Sequence, residues 1–197
     1  MSLVYRIEKF IAAYLHHRTL KYLAAFSLVM IPLLTYLFAT IESPFYYTFS
    51  KIGNVLGYRL NFILRGVFVG LMIVFFLLRL YVLHAFSDKN ARGLLFLSLI
   101  FLLLTVAIPA VEHLPMLKRF HALVAVSFAL CLSISLYLFT VYLQQYSRKV
   151  YIWSLVILFV MVGGSLLMLL LFGMTGIFEL FFFGALSVFF VFIHLVT

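Results

Sequence analysis

Arg65, His121 and Glu179 are the side chains of this sequence best suited to chemistry, and each lies in or against an apolar stretch. An arginine and a histidine at headgroup depth suit a phosphate or a carboxylate. A glutamate beside them orients the guanidinium or accepts from a hydroxyl or amine. Asn61 precedes Arg65 by one helical turn and shares its face. Ser50 and Asn54 lie in the loop just before, where they are expected to cover the same site. The expected ligand-binding set is therefore Arg65, His121, Glu179, Asn61, Ser50 and Asn54. The same residues permit a second chemistry. With His121 as general base, Glu179 as its orienter and Arg65 facing an anionic transition state, the chain would be a lipid hydrolase or transferase. No nucleophile motif accompanies them, and the only aspartate, Asp88, falls on the other side of the membrane.

Each of the three has a plainer role beside the chemical one. Arg65 either finds a partner within the membrane or snorkels to the interface. Glu179 follows the turn Gly173-Met-Thr-Gly176 and suits a helix N-terminus. His121 follows Lys118 and Arg119 and suits an interfacial anchor.

No metal or cofactor is expected. Glu112 and His113 are separated from His121 by Pro115, and HExxH, with its ligands one turn apart, is absent. For haem, the one histidine pair at a common depth is His84 with His194. Cys131 is the single cysteine, so no internal disulfide forms.

The elements that must carry these residues are plain in the hydropathy. Apolar stretches run over Leu20–Ile41, Leu60–Phe86, Gly93–Ala110, Phe120–Tyr142, Tyr151–Phe172 and Ile177–Leu195. About 20 apolar residues in a helix cross a ~30 Å hydrocarbon core. The chain is 67% hydrophobic and 10% charged, against about 25% charged for soluble domains. The expected fold is an all-α bundle of six transmembrane helices over residues 20–197. Before it, residues 1–19 place Leu3, Ile7, Phe10, Ile11 and Tyr14 at helical spacing among charges. That pattern predicts an amphipathic helix on the membrane surface. The first span lacks an A-x-A cleavage site and is expected to be retained.

Charge sets the expected orientation. Arg6, Lys9, Arg18, Lys21, Arg79, Lys89, Arg92, Arg148 and Lys149 fall on the side of the termini. Only Lys51, Arg59, Lys118 and Arg119 fall opposite. The positive-inside rule then puts both termini in the cytoplasm. Short loops without an Asn-x-Ser/Thr acceptor suit a bacterial inner membrane. The net charge of +9 is spread over helix ends, so no nucleic-acid partner is expected.

Small residues mark helix contacts: Gly66 and Gly70 as GxxxG, Ser127, Cys131 and Ser135 as a stripe, and Gly163-Gly164-Ser165. Packing inside one chain is the expected use, and the oligomeric state is left open. The rings of Phe181–Phe183 and Phe189–Phe192 allow a third reading, a scaffold that contacts protein partners through its last span.

Three segments carry a resemblance. Phe49-Ser-Lys-Ile-Gly53 is followed by Asn61-Phe62 and Gly66; Phe120-His121-Ala-Leu-Val-Ala125-Val-Ser-Phe128 opens the fourth span; Gly176-Ile-Phe-Glu179 opens the sixth. In order and spacing they resemble the DRAM-like superfamily: damage-regulated autophagy modulators, the GPI-anchor lipid-remodelling factor, and bacterial six-span relatives. The resemblance implies a role with membrane lipid. Ser50 and Gly53 match the family's Ser-x-x-Gly, and His121 and Glu179 match its histidine and glutamate. Lys51 stands where the family often has an acidic residue. The resemblance implies that His121 and Glu179 share one site.

Overall fold

The structure, a computed structural model, describes residues 17–111 and 113–196. The surface helix expected over residues 1–19 lies, up to residue 16, outside the described residues, as does Glu112. The described helices are α1 (His17–Ala39), α2 (Phe49–Asn54), α3 (Arg59–Leu83), α4 (Lys89–Ala107), α5 (Pro115–Leu143), α6 (Arg148–Phe172) and α7 (Gly176–Val196). All but the short α2 are long and apolar enough to cross a membrane, and no strand occurs among the described residues. The chain is an all-α, multi-pass membrane protein, since helices satisfy their own backbone in hydrocarbon.

Local chemistry sets the helix ends. Helix α4 begins earlier than hydropathy alone predicts, because Asp88 caps it. One carboxylate oxygen of Asp88 accepts from the N–H groups of Asn90 and Ala91 at 2.7 and 3.0 Å. It also ends earlier, at Ala107, because Pro109 pushes the residue before it out of the helical region. Ile108 is extended, with φ −85° and ψ 122°. Pro115 opens α5, where a missing N–H costs nothing.

The six spans close into a ring in chain order. Helix α1 packs on α3, α3 on α4, α4 on α5, α5 on α6, α6 on α7, and α7 returns to α1. Short connections favour this arrangement, since consecutive helices are then neighbours. Gly66 and Gly70 let α4 approach α3: a β-carbon on Gly70 would lie 2.7 Å from Leu102. The GxxxG is thus used inside the chain. Rings also meet across the bundle, Phe76 of α3 with Phe190 of α7 at 4.5 Å and Phe128 of α5 with Phe183 of α7 at 6.2 Å. Phe182, Phe183, Phe189 and Phe190 are buried here. Most of the aromatic run of the last span is therefore core, with Phe181 and Phe192 half-buried. Helix α3 is the most buried span and α6 the least.

Several serine and threonine hydroxyls within the spans bond back to their own helix, as with Ser27 to Leu23, Thr35 to Ile31, Thr105 to Phe101 and Ser187 to Phe183. Thr40 and Thr35 flank the end of α1, where the chain turns into the loop that carries α2. That loop and the adjoining ends of α1, α3 and α7 form the face opposite the chain termini, called the distal face below.

Candidate functional site

Helix α2 has only six residues, too few to persist alone. Its first N–H groups lack partners within the helix. Thr48 accepts from the Lys51 N–H at 3.1 Å, and Ser50 Oγ lies 3.1 Å from the same hydroxyl. Glu179, in the first turn of α7, accepts from the Phe49 N–H at 2.6 Å. At the other end of α2, Asn54 accepts from Arg59, whose second terminal nitrogen donates to the Ala107 carbonyl at 2.6 Å. Close approach completes the seating. A β-carbon on Gly53 would lie 2.6 Å from Phe62, and one on Gly176 would lie 2.6 Å from the Tyr47 carbonyl. The short helix is thus held at both ends by α7 and α3.

Arg65 lies nearly two turns into α3, about 9 Å below its start. Three rings surround its guanidinium carbon: Phe49 at 4.4 Å, Phe38 at 5.1 Å and Phe183 at 5.5 Å. Such contacts stabilise a cation by about 0.5–2 kcal/mol each way from exposed to desolvated sites. One terminal nitrogen donates to Thr35 Oγ1 at 3.3 Å. Thr35 itself donates to Ile31 at 2.7 Å, so towards Arg65 it acts as acceptor. Arg65 Nε is buried and has no partner.

The expected approach of Arg65 and Glu179, directly or through a water, is not made as a direct bond: the hydrogen bond of Glu179 goes to the Phe49 backbone. Phe49 stands between them, its amide on Glu179 and its ring on Arg65. Sequence reasoning missed Phe49. It opens the Phe49–Gly53 segment, but nothing in its residue type distinguishes it from its many aromatic neighbours.

Beside Arg65 lies a groove of about 400 Å3 between α1 and α3. Its polar lining is Arg65 and Asn61, and the remainder is apolar, including Leu37, Leu64 and Phe68. Those three apolar side chains are exposed, so the groove opens sideways, towards hydrocarbon. The sequence places Arg65, His121, Glu179, Asn61, Ser50 and Asn54 in one expected ligand-binding set. Of that set only Arg65 and Asn61 line the groove.

His121 belongs to a different cluster. It is buried, and its Nδ1 lies 2.9 Å from the Ile108 carbonyl. A carbonyl only accepts, so the proton sits on Nδ1. Pro109 makes this bond possible: by ending α4 it frees the Ile108 carbonyl from the helix. Arg59 bonds the neighbouring Ala107 carbonyl. The His121 and Glu179 clusters are therefore joined through α2, by Glu179 to Phe49 at one end and Asn54 to Arg59 at the other.

No group of three His, Cys, Asp or Glu side chains suited to a metal occurs among the described residues. His84 ends α3 on the face of the termini, where its carbonyl accepts from Tyr142 at 2.6 Å and Tyr146 at 3.0 Å. Burial lowers the pKa of its imidazole below the ordinary 6.5.

No family model matches the chain, and neither a curated protein nor a solved structure matches it.

Proposed function

We propose that this protein binds membrane lipid, with an anionic headgroup oxygen on Arg65 and an acyl chain along the groove between α1 and α3. The observation that carries the reading is the buried, unpartnered Nε of Arg65 beside that groove. An arginine within a membrane is costly unless something satisfies it. Here three rings lie around the guanidinium and its Nε is left without a partner, on the edge that takes phosphate or carboxylate side-on. The groove volume lies within the ~300–1,000 Å3 of small-molecule sites. Asn61, one turn nearer the distal face, offers a second polar contact. The distal face is then the outer side, both termini are cytoplasmic, and the membrane is a bacterial inner membrane. Kinship with the DRAM-like superfamily belongs to the same proposal.

The test is lipid retention. Wild type purified in mild detergent is expected to carry phosphatidylglycerol or another anionic lipid, read by native mass spectrometry. Arg65→Gln is expected to lose it while the helical content is unchanged. Equal retention by the two proteins would remove the basis of the proposal.

A further inference from the structure

We infer that Glu179 is a positioning residue for the Arg65 site, acting through Phe49 and not by contact with the ligand; this rests on the lipid-binding reading above. Glu179 does not line the groove. Its carboxyl group accepts the Phe49 N–H at 2.6 Å, a short hydrogen bond. The Phe49 ring is the nearest of the three around the Arg65 guanidinium. It also meets Phe38 edge-on at 5.8 Å and 86°, so a shift of Phe49 disturbs two walls of the enclosure at once.

The third wall is tied to the same helical turn. Phe183 lies four residues after Glu179 on α7, hence on the same face. One turn of α7 thus acts on Arg65 twice, through Phe49 by a hydrogen bond and through the Phe183 ring directly. Removing the carboxylate leaves the Phe49 N–H without its acceptor, at the start of a helix that cannot hold its own place. Phe49 then leaves the guanidinium face, and Arg65 regains the freedom to turn towards the interface. The ligand loses a pre-oriented partner, although nothing that touches it has been replaced.

Four variants of the full chain separate this from other roles, with a spin-labelled phosphatidylglycerol titrated into each in nonionic detergent. Glu179→Ala and Phe49→Leu are each expected to weaken binding about fivefold or more, the low end of ordinary coupling between sites. Glu179→Gln keeps an acceptor oxygen and is expected to bind within about twofold of wild type, a difference well under 1.4 kcal/mol. Glu179→Gln as weak as Glu179→Ala would show that charge matters and not the bond to Phe49, and would overturn the inference. So would Phe49→Leu at wild-type affinity, a variant that keeps the amide and removes only the ring, and which decides the matter should Glu179→Ala fail to fold. Arg65→Gln is the control for the underlying reading. Its loss of binding, with Glu179→Ala unaffected, overturns the positioning role alone; its binding like wild type overturns both.

Discussion

Tyr81 Oη lies 2.8 Å from Ser135 Oγ, and the same serine donates to the Ala91 carbonyl at 2.7 Å. Because Ser135 has one proton and gives it to Ala91, Tyr81 is the donor in the first bond. One serine hydroxyl therefore joins α3, α4 and α5 in the half of the bundle nearer the chain termini. Ser135 is the buried end of the small-residue stripe with Ser127 and Cys131.

This asymmetry orders two substitutions. Tyr81→Phe removes one donor and leaves Ser135 bonded to Ala91, so the cost should be near the ~0.6 kcal/mol typical of bonds between membrane helices. Ser135→Ala removes both bonds and leaves the buried Tyr81 hydroxyl only the 3.4 Å approach to the backbone carbonyl of residue 135, at about 1–3 kcal/mol. Thermal unfolding in detergent should therefore rank Ser135→Ala below Tyr81→Phe. The reverse order would mean that the tyrosine, not the serine, is the hub.

Stability should depend on pH through His84. Burial lowers its folded-state pKa below 6.5, so the folded chain favours the neutral ring. Its contribution is present above pH 6.5 and is lost as pH falls through the lower folded-state value. Melting temperature is expected to decline from pH 7 to pH 5, and less steeply in His84→Gln. Parallel curves for the two proteins would assign the decline to other groups.

The orientation proposed from charge is open to direct labelling. On a Cys131→Ala background, Lys51→Cys should react with an impermeant thiol reagent on intact cells. Ser87→Cys, in the exposed connection between α3 and α4, should react only after permeabilisation. The opposite pattern would place the Arg65 groove in the inner leaflet.

The number of spans and their approximate limits are legible in the sequence, because hydrocarbon thickness sets a length and apolar composition fills it. The end of α4 near Pro109 is legible too, since proline acts on its own backbone; the start of α5 is not, because the apolar stretch begins only at Phe120 while the helix opens at Pro115. The GxxxG was readable as a contact, but not that its partner is α4. The outcome for Arg65 was half legible. A charge that deep must be satisfied, and its position says so; what satisfies it depends on which helices meet. Helix α7 returns to α1 and brings Glu179 to α2 and Phe183 to Arg65 of α3. There the backbone of Phe49 competes for the carboxylate and wins by geometry. No spacing along the chain encodes a bond between residues 130 positions apart. His121 shows the same division. Its burial near the start of α5 follows from packing, and its partner, the Ile108 carbonyl, is free because a proline ended another helix. Residue type determined that these groups need partners, because polar atoms in hydrocarbon have no water to turn to. Tertiary structure alone decided which partner each received, because several acceptors were chemically equivalent and only one was within reach.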